Sequence, residues 1–167
     1  MKNKNLSFMT QAAMIAAIYV VLTYIFAPFS FGEVQVRISE ALTILPIFTP
    51  AAIPGLFAGC LIGNILGGAI LPDIVFGSIA TLIGAFFTWK LREQKPVVAT
   101  FPPIISNIII VPFVLRYGYG VTLPIPFMML TVGIGEVISC TVLGLIVYGA
   151  LKKYKSTLFR TAKKSGV

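Results

Sequence analysis

Apolar residues run through this chain in long blocks separated by short polar or proline-rich connections, and the blocks approach the roughly 20 residues that an α-helix needs to cross a bilayer. The pattern predicts helical spans over residues 8–27, 39–49, 51–69, 73–90, 96–116 and 122–151. The stretch 39–69 is the exception to simple reading. It carries Pro46, Pro50 and Pro54, and as one helix it would be about 46 Å long, against a hydrocarbon core of roughly 30 Å. Two shorter helices fit better. The expected fold class is an all-α integral membrane protein, a compact bundle of six transmembrane helices with one short or kinked by prolines, forming a single transmembrane domain over 1–167.

Two patterns of small residues stand out. Gly55, Gly59, Gly63 and Gly67 recur every fourth residue, a face on which missing side chains let a neighbouring backbone come close. That face is expected to pack against protein. On the first span, Ala12/Ala16 and Ala13/Ala17 form two overlapping small-xxx-small pairs. They suit either packing within the bundle or docking of another membrane subunit.

Composition agrees with lipid as the solvent: 57% of residues are hydrophobic, 11% are charged, and the mean hydropathy is +0.97. Lys2 and Lys4 before an apolar run resemble a signal peptide, but the run continues to Ala27 and Ile25 suits cleavage poorly, so the segment reads as a retained first span. Cys60 and Cys140 lie inside apolar runs and histidine is absent, which argues against disulfide frameworks and histidine metal sites. The net charge of +8 comes mostly from Lys2/Lys4, Lys90/Arg92/Lys95 and the cluster from Lys152 to Lys164. This spacing fits cytoplasmic flanks rather than nucleic-acid binding. Six spans with both termini in the cytoplasm place every basic residue inside except Arg37 and Arg116; five spans with the amino terminus outside do almost as well.

In the six-span arrangement the polar residues are lopsided. Glu33, Gln35, Arg37, Glu40, Asp73 and Arg116 fall at or near the outer surface, Asn64 and Asn107 in the outer half, and Glu136 near mid-depth. The inner half holds no charge. Exposing a carboxylate or guanidinium to hydrocarbon costs at least about 2.5–3.5 kcal/mol, so these groups are expected to face one another or a watery recess open to the outside. Each also has a plainer reading. Glu136 is either a structural acid bonded to a hydroxyl or an anchor for solute; Glu33, Arg37 and Glu40 form either an ordinary ion-pair loop or a binding loop; Asn64 and Asn107 make either interhelical hydrogen bonds or ligand contacts.

Catalytic signatures are missing: there is no GxxxxGK[ST] phosphate loop, no HExxH, no GxSxG and no nucleophile–base pair. The chain is not expected to be an enzyme or to need a cofactor or metal, and it has no means of hydrolysing ATP. A small polar recess without an engine suggests a capture subunit that borrows its drive.

The stretch Gly32-Glu33-Val34-Gln35-Val36-Arg37-Ile38-Ser39-Glu40-Ala41-Leu42-Thr43-Ile44-Leu45-Pro46, followed by the glycine-rich Gly59 to Gly68 segment, resembles the QueT family. These are queuosine-precursor substrate-binding (S) components of energy-coupling-factor (ECF) transporters. The resemblance implies a six-helix subunit of the cell membrane that captures its solute from outside. It would then dock on a membrane coupling (T) subunit driven by two cytoplasmic ATPase subunits. It assigns docking to Ala12, Ala13, Ala16 and Ala17, and a lid to the connection from Phe29 to Ser39.

The implied cargo is a 7-deazaguanine such as preQ0, preQ1 or queuine, whose N1 hydrogen and 2-amino group form a two-donor edge. A carboxylate accepts both in bidentate fashion, which makes Glu136 or Glu40 the candidate for that edge. Arg37, Arg116 or an asparagine could donate to the carbonyl oxygen, and Phe76, Phe113, Tyr117 or Phe127 could cover the ring. A 7-aminomethyl cation would need a second carboxylate, for which Glu33 or Asp73 could serve. An S component for another vitamin, a small channel and a structural membrane subunit are the alternatives.

Overall fold

A computed structural model describes residues 2–26 and 36–154. Among these residues there is no β-strand. Six helices follow one another: α1 (Lys2–Ile25), α2 (Ile38–Ile47), α3 (Ala52–Leu66), α4 (Leu71–Lys90), α5 (Val98–Gly118) and α6 (Ile125–Lys152). Four stretches, Lys4–Ile25, Leu71–Lys90, Val98–Gly118 and Ile125–Lys152, are long and apolar enough to cross a membrane. The other two helices, α2 and α3, are shorter and apolar. The expected boundaries therefore hold to within a few residues, apart from the start of α1, which is helical from Lys2 rather than from residue 8.

The break within 39–69 falls at Phe48–Ala51, where Pro50 cannot continue a helical hydrogen-bond ladder. What the proline pattern did not foretell is the winding of α2. All ten of its residues form a 3₁₀ helix, whereas such helices rarely run beyond 3–4 residues. With three residues per turn, Glu40, Thr43 and Pro46 share one face. Every residue from Ser39 to Pro46 is buried, because α2 packs against α1, α3, α4 and α6. At about 2.0 Å per residue it spans roughly 20 Å, a short central axle rather than a full crossing.

The glycine face finds its partner in α1. A Cβ added at Gly55 would lie 2.7 Å from the Ala12 carbonyl oxygen, and one at Gly59 would lie 2.7 Å from the Tyr19 Cβ; at Gly63 the neighbour is Thr23, at 3.2 Å. Such contact between backbones is how helices gain packing energy where lipid offers no hydrophobic drive. Gly84 serves α4 and α5 in the same way, with the Pro103 Cα only 2.6 Å from its added Cβ. Hydroxyls tie the same layers together: Thr88 donates to the Ala99 carbonyl at 2.8 Å and Ser106 to the Ala80 carbonyl at 2.9 Å.

One end of the bundle is an apolar core of Ile15, Leu42, Leu45, Phe48, Ala52 and Leu56 with their neighbours, closed by the stacking of Phe48 on Tyr148 at 5.3 Å. The outer faces of α1 and α3 to α6 remain apolar and exposed, from Met9 and Ile18 to Val142 and Ile146, as befits surfaces meeting acyl chains.

Candidate functional site

The polar side chains converge on two neighbouring constellations around α2. The first is an ion pair. Arg37, immediately before α2, donates from Nη2 to both Asp73 carboxylate oxygens at 3.3 Å, and both residues are buried. Asp73 occupies the first turn of α4, where the helix dipole favours a negative charge. It also accepts from the Tyr119 hydroxyl at 3.0 Å, while Asn64 on α3 donates to the Asp73 carbonyl at 3.3 Å. Partial burial and the adjacent Asp73 carboxylate raise the Tyr119 phenol above its ordinary range, which keeps it a donor. Gly77 leaves room for this knot: a Cβ there would stand 3.0 Å from Asp73 Oδ1 and 3.3 Å from Asn64 Nδ2.

The second constellation is a buried acidic centre. Glu40, in the first turn of α2, is fully buried; its Oε1 accepts from the Tyr19 hydroxyl on α1 and from Thr81 Oγ1 on α4 at 3.3 Å. Its Oε2 is buried without a hydrogen-bond partner. Glu136 comes from α6, where the helix widens into π-helical turns over Val137–Leu143, a distortion common at functional sites because it re-aims side chains. The Cys140 thiol donates to Glu136 Oε2 at 3.2 Å, and the Asn107 side chain stands beside the same carboxyl group. Ligand atoms of Glu40, Glu136 and Cys140 all lie within 4.8 Å of one another. On the same π-helical stretch Ser139 Oγ is also buried and unpartnered.

This grouping settles where most of the expected site residues stand. Arg37, Glu40, Asn64, Asp73, Asn107 and Glu136 are all buried, facing one another as the desolvation argument required. Arg116 stands apart: it is exposed and donates to the Val121 carbonyl of its own loop at 3.2 Å. Glu33, Gln35 and the expected lid from Phe29 as far as Gln35 lie outside the described residues, whereas the lid's last residues include Arg37 and Ser39, both buried. The proposed ring-covering aromatics Phe76, Phe113, Tyr117 and Phe127 are all more than two-fifths exposed. On α1, Ala13 and Ala17 are exposed, whereas Ala12 and Ala16 are half-buried with their carbonyls against α3.

The aromatic that does reach the acidic centre is Tyr19 of α1, through its hydroxyl on Glu40. Thr81, Ser139 and Cys140 were missed as well. The retrievable signal was spacing, since Glu136 and Cys140 are four apart, as are Tyr19 and Thr23. Chemically, two carboxylates and a thiol offer three ligand atoms to a divalent cation, or an acceptor-rich surface to a solute with several N–H donors. Neither use is a catalytic arrangement.

The family model for the QueT transporter matches residues 9–153. The chain belongs to the QueT transporter family. That family is one of transporters, and the four long apolar helices suit a membrane protein. Over 84 residues it is 33% identical to the protein named queuosine precursor transporter QueT from Lactococcus lactis subsp. cremoris (strain MG1363). That match covers 49% of this chain and 48% of the relative, so the chain spans about half the length of the curated QueT relative it matches. No solved structure matches the chain.

Proposed function

We propose that this chain is the substrate-binding S component of an ECF-type importer and that it captures a queuosine precursor, a 7-deazaguanine, from outside the cell. In this reading 1–167 is one transmembrane domain, all six helices belong to the membrane layer, both termini are cytoplasmic, and the polar centre opens outward. The observation that carries the reading is the buried Glu40–Glu136–Asn107 group. Hydrocarbon would not tolerate these acids unless they served one another or a polar solute, and Glu40 Oε2 is left for a donor from outside the chain.

Roles divide by position. Glu40, Glu136 and Asn107 bind the base; Arg37, Asp73 and Asn64 hold the adjoining mouth in shape; Glu33 and Arg116 belong to its rim. Ala13 and Ala17 form the exposed strip on which a T subunit docks, and Ala12 and Ala16 back it by letting α1 lie close to α3. Two cytoplasmic ATPase subunits supply the drive, no cofactor is needed, and nucleic acid is not a partner.

Two measurements test this together. Mass spectrometry of small molecules retained by the protein purified from its native membrane should find a 7-deazaguanine, and ATPase subunits should co-purify under mild detergent. A retained vitamin of another class would redirect the substrate. Absence of any ATPase partner alongside passive solute flux in proteoliposomes would refute the importer.

A further inference from the structure

We infer that Glu40 and Glu136 form a two-sided clamp on one amino group of the solute, so that the exocyclic 2-amino group of the base decides what this protein carries. The inference rests on the carrier reading above and adds the selected group to it.

Three observations converge. First, spacing: an amino group directs its two N–H bonds about 120° apart, and acceptors at about 2.9 Å along each would be about 5 Å from one another. Carboxylate oxygens of Glu40 and Glu136 lie within 4.8 Å. Second, supply: Glu40 is fixed by Tyr19 and Thr81 through Oε1, while Oε2 is wholly buried and unpartnered. A buried acceptor left unmet is costly, and a solute donor relieves it. Third, origin: the two acids come from two different helices, α2 and α6, so that neither helix alone makes the grip.

The alternative occupant is a 7-aminomethyl cation. On a 7-deazaguanine that group hangs from the five-membered ring, away from the N1–H and 2-amino edge of the six-membered ring. If the cation sat between Glu40 and Glu136, the donor edge would face no carboxylate among the described residues, because the third buried acid, Asp73, is bonded to Arg37 and Tyr119. With the edge in the clamp, one carboxylate takes an amino hydrogen together with N1–H and the other takes the remaining amino hydrogen. All three donors are then met.

The test uses the full chain in lipid nanodiscs and three compounds: 7-cyano-7-deazaguanine, the same base without its 2-amino group, and 7-aminomethyl-7-deazaguanine. Calorimetry should show that removing the 2-amino group weakens binding by more than about 100-fold, a loss typical of sites whose polar groups are stranded. Exchanging cyano for aminomethyl should change affinity by less than that. In Glu40→Gln and Glu136→Gln the ratio between the first two compounds should shrink, a change that misfolding would not produce. A smaller penalty for the missing amino group in the unmodified chain, or a larger effect of the 7-substituent, overturns the clamp and leaves the carrier reading standing. Binding of none of the three overturns both.

Discussion

The Tyr19 hydroxyl donates to Glu40 Oε1, a bond between α1 and the central helix α2 that joins the helix of the proposed docking strip to the acidic centre. Tyr19 is also the residue whose Cβ lies against Gly59 of α3. One side chain thereby fixes three helices.

Replacing Tyr19 with Phe keeps the ring in place and removes the donor. A buried hydrogen bond to a carboxylate is worth about 1.5–3 kcal/mol, so Tyr19→Phe should lower the thermal midpoint in detergent and weaken deazaguanine binding. An unchanged midpoint together with unchanged affinity would show that Thr81 alone suffices for Glu40.

The glycine face gives a sharper contrast. At Gly59 any Cβ meets Tyr19 at 2.7 Å, while at Gly149 nothing lies within 4 Å. Gly59→Val should destabilise by at least about 1–3 kcal/mol through overpacking, and Gly149→Ala should be neutral or slightly stabilising. Thermal melts of both variants beside the parent check this; equal midpoints would remove the close approach of α1 and α3.

Asp73→Asn removes the negative partner of a buried guanidinium. Breaking such a pair on one side costs about 3–5 kcal/mol, whereas the double change Arg37→Gln with Asp73→Asn should recover much of the loss. If the double variant is no more stable than the single, the ion pair is not what makes Asp73 necessary.

For docking, Ala13→Trp adds bulk to an exposed face and should abolish uptake in cells carrying the whole importer while deazaguanine binding stays within a few-fold. Ala16→Trp is different, because the Ala16 carbonyl lies 3.1 Å from an added Cβ at Gly59; it should reduce thermal stability and binding as well. Loss of binding in both variants alike would assign the whole strip to internal packing.

Much of this was legible from residue order because it depends on local rules. Four long apolar blocks became four long helices, Pro50 split the middle segment while Pro46 and Pro54 stayed within helices, and Gly55, Gly59 and Gly63 became a face against α1. Arg37 also met Asp73, and Glu40 came beside Glu136, since hydrocarbon leaves buried charges few options. Other features depend on the third dimension. No local propensity announces that the ten residues of α2 wind as a 3₁₀ helix, for the winding follows from burial on every side. Nothing in the sequence around Tyr19 or Thr81 marks either residue, because the value of each lies in an acid far along the chain. Arg116 looked equivalent to Arg37 by charge and depth, yet it turns back on its own loop while Arg37 reaches across to Asp73.

The widened turns at Val137–Leu143 have a consequence for how this sequence can change over time. A π segment holds one residue more than the α-helix it interrupts, and each residue of α-helix advances the face by about 100°. A single-residue deletion within Val137–Leu143 would therefore be absorbed by closing the π turns to ordinary α-helix, with Glu136 and Tyr148 kept on their own faces, whereas a deletion in the α-helical turn between Gly144 and Tyr148 would swing the two apart by about 100°. Length should be guarded most strictly in the α-helical turns that flank the π segment, and insertions or deletions should collect in the π turns themselves or in the connections between helices.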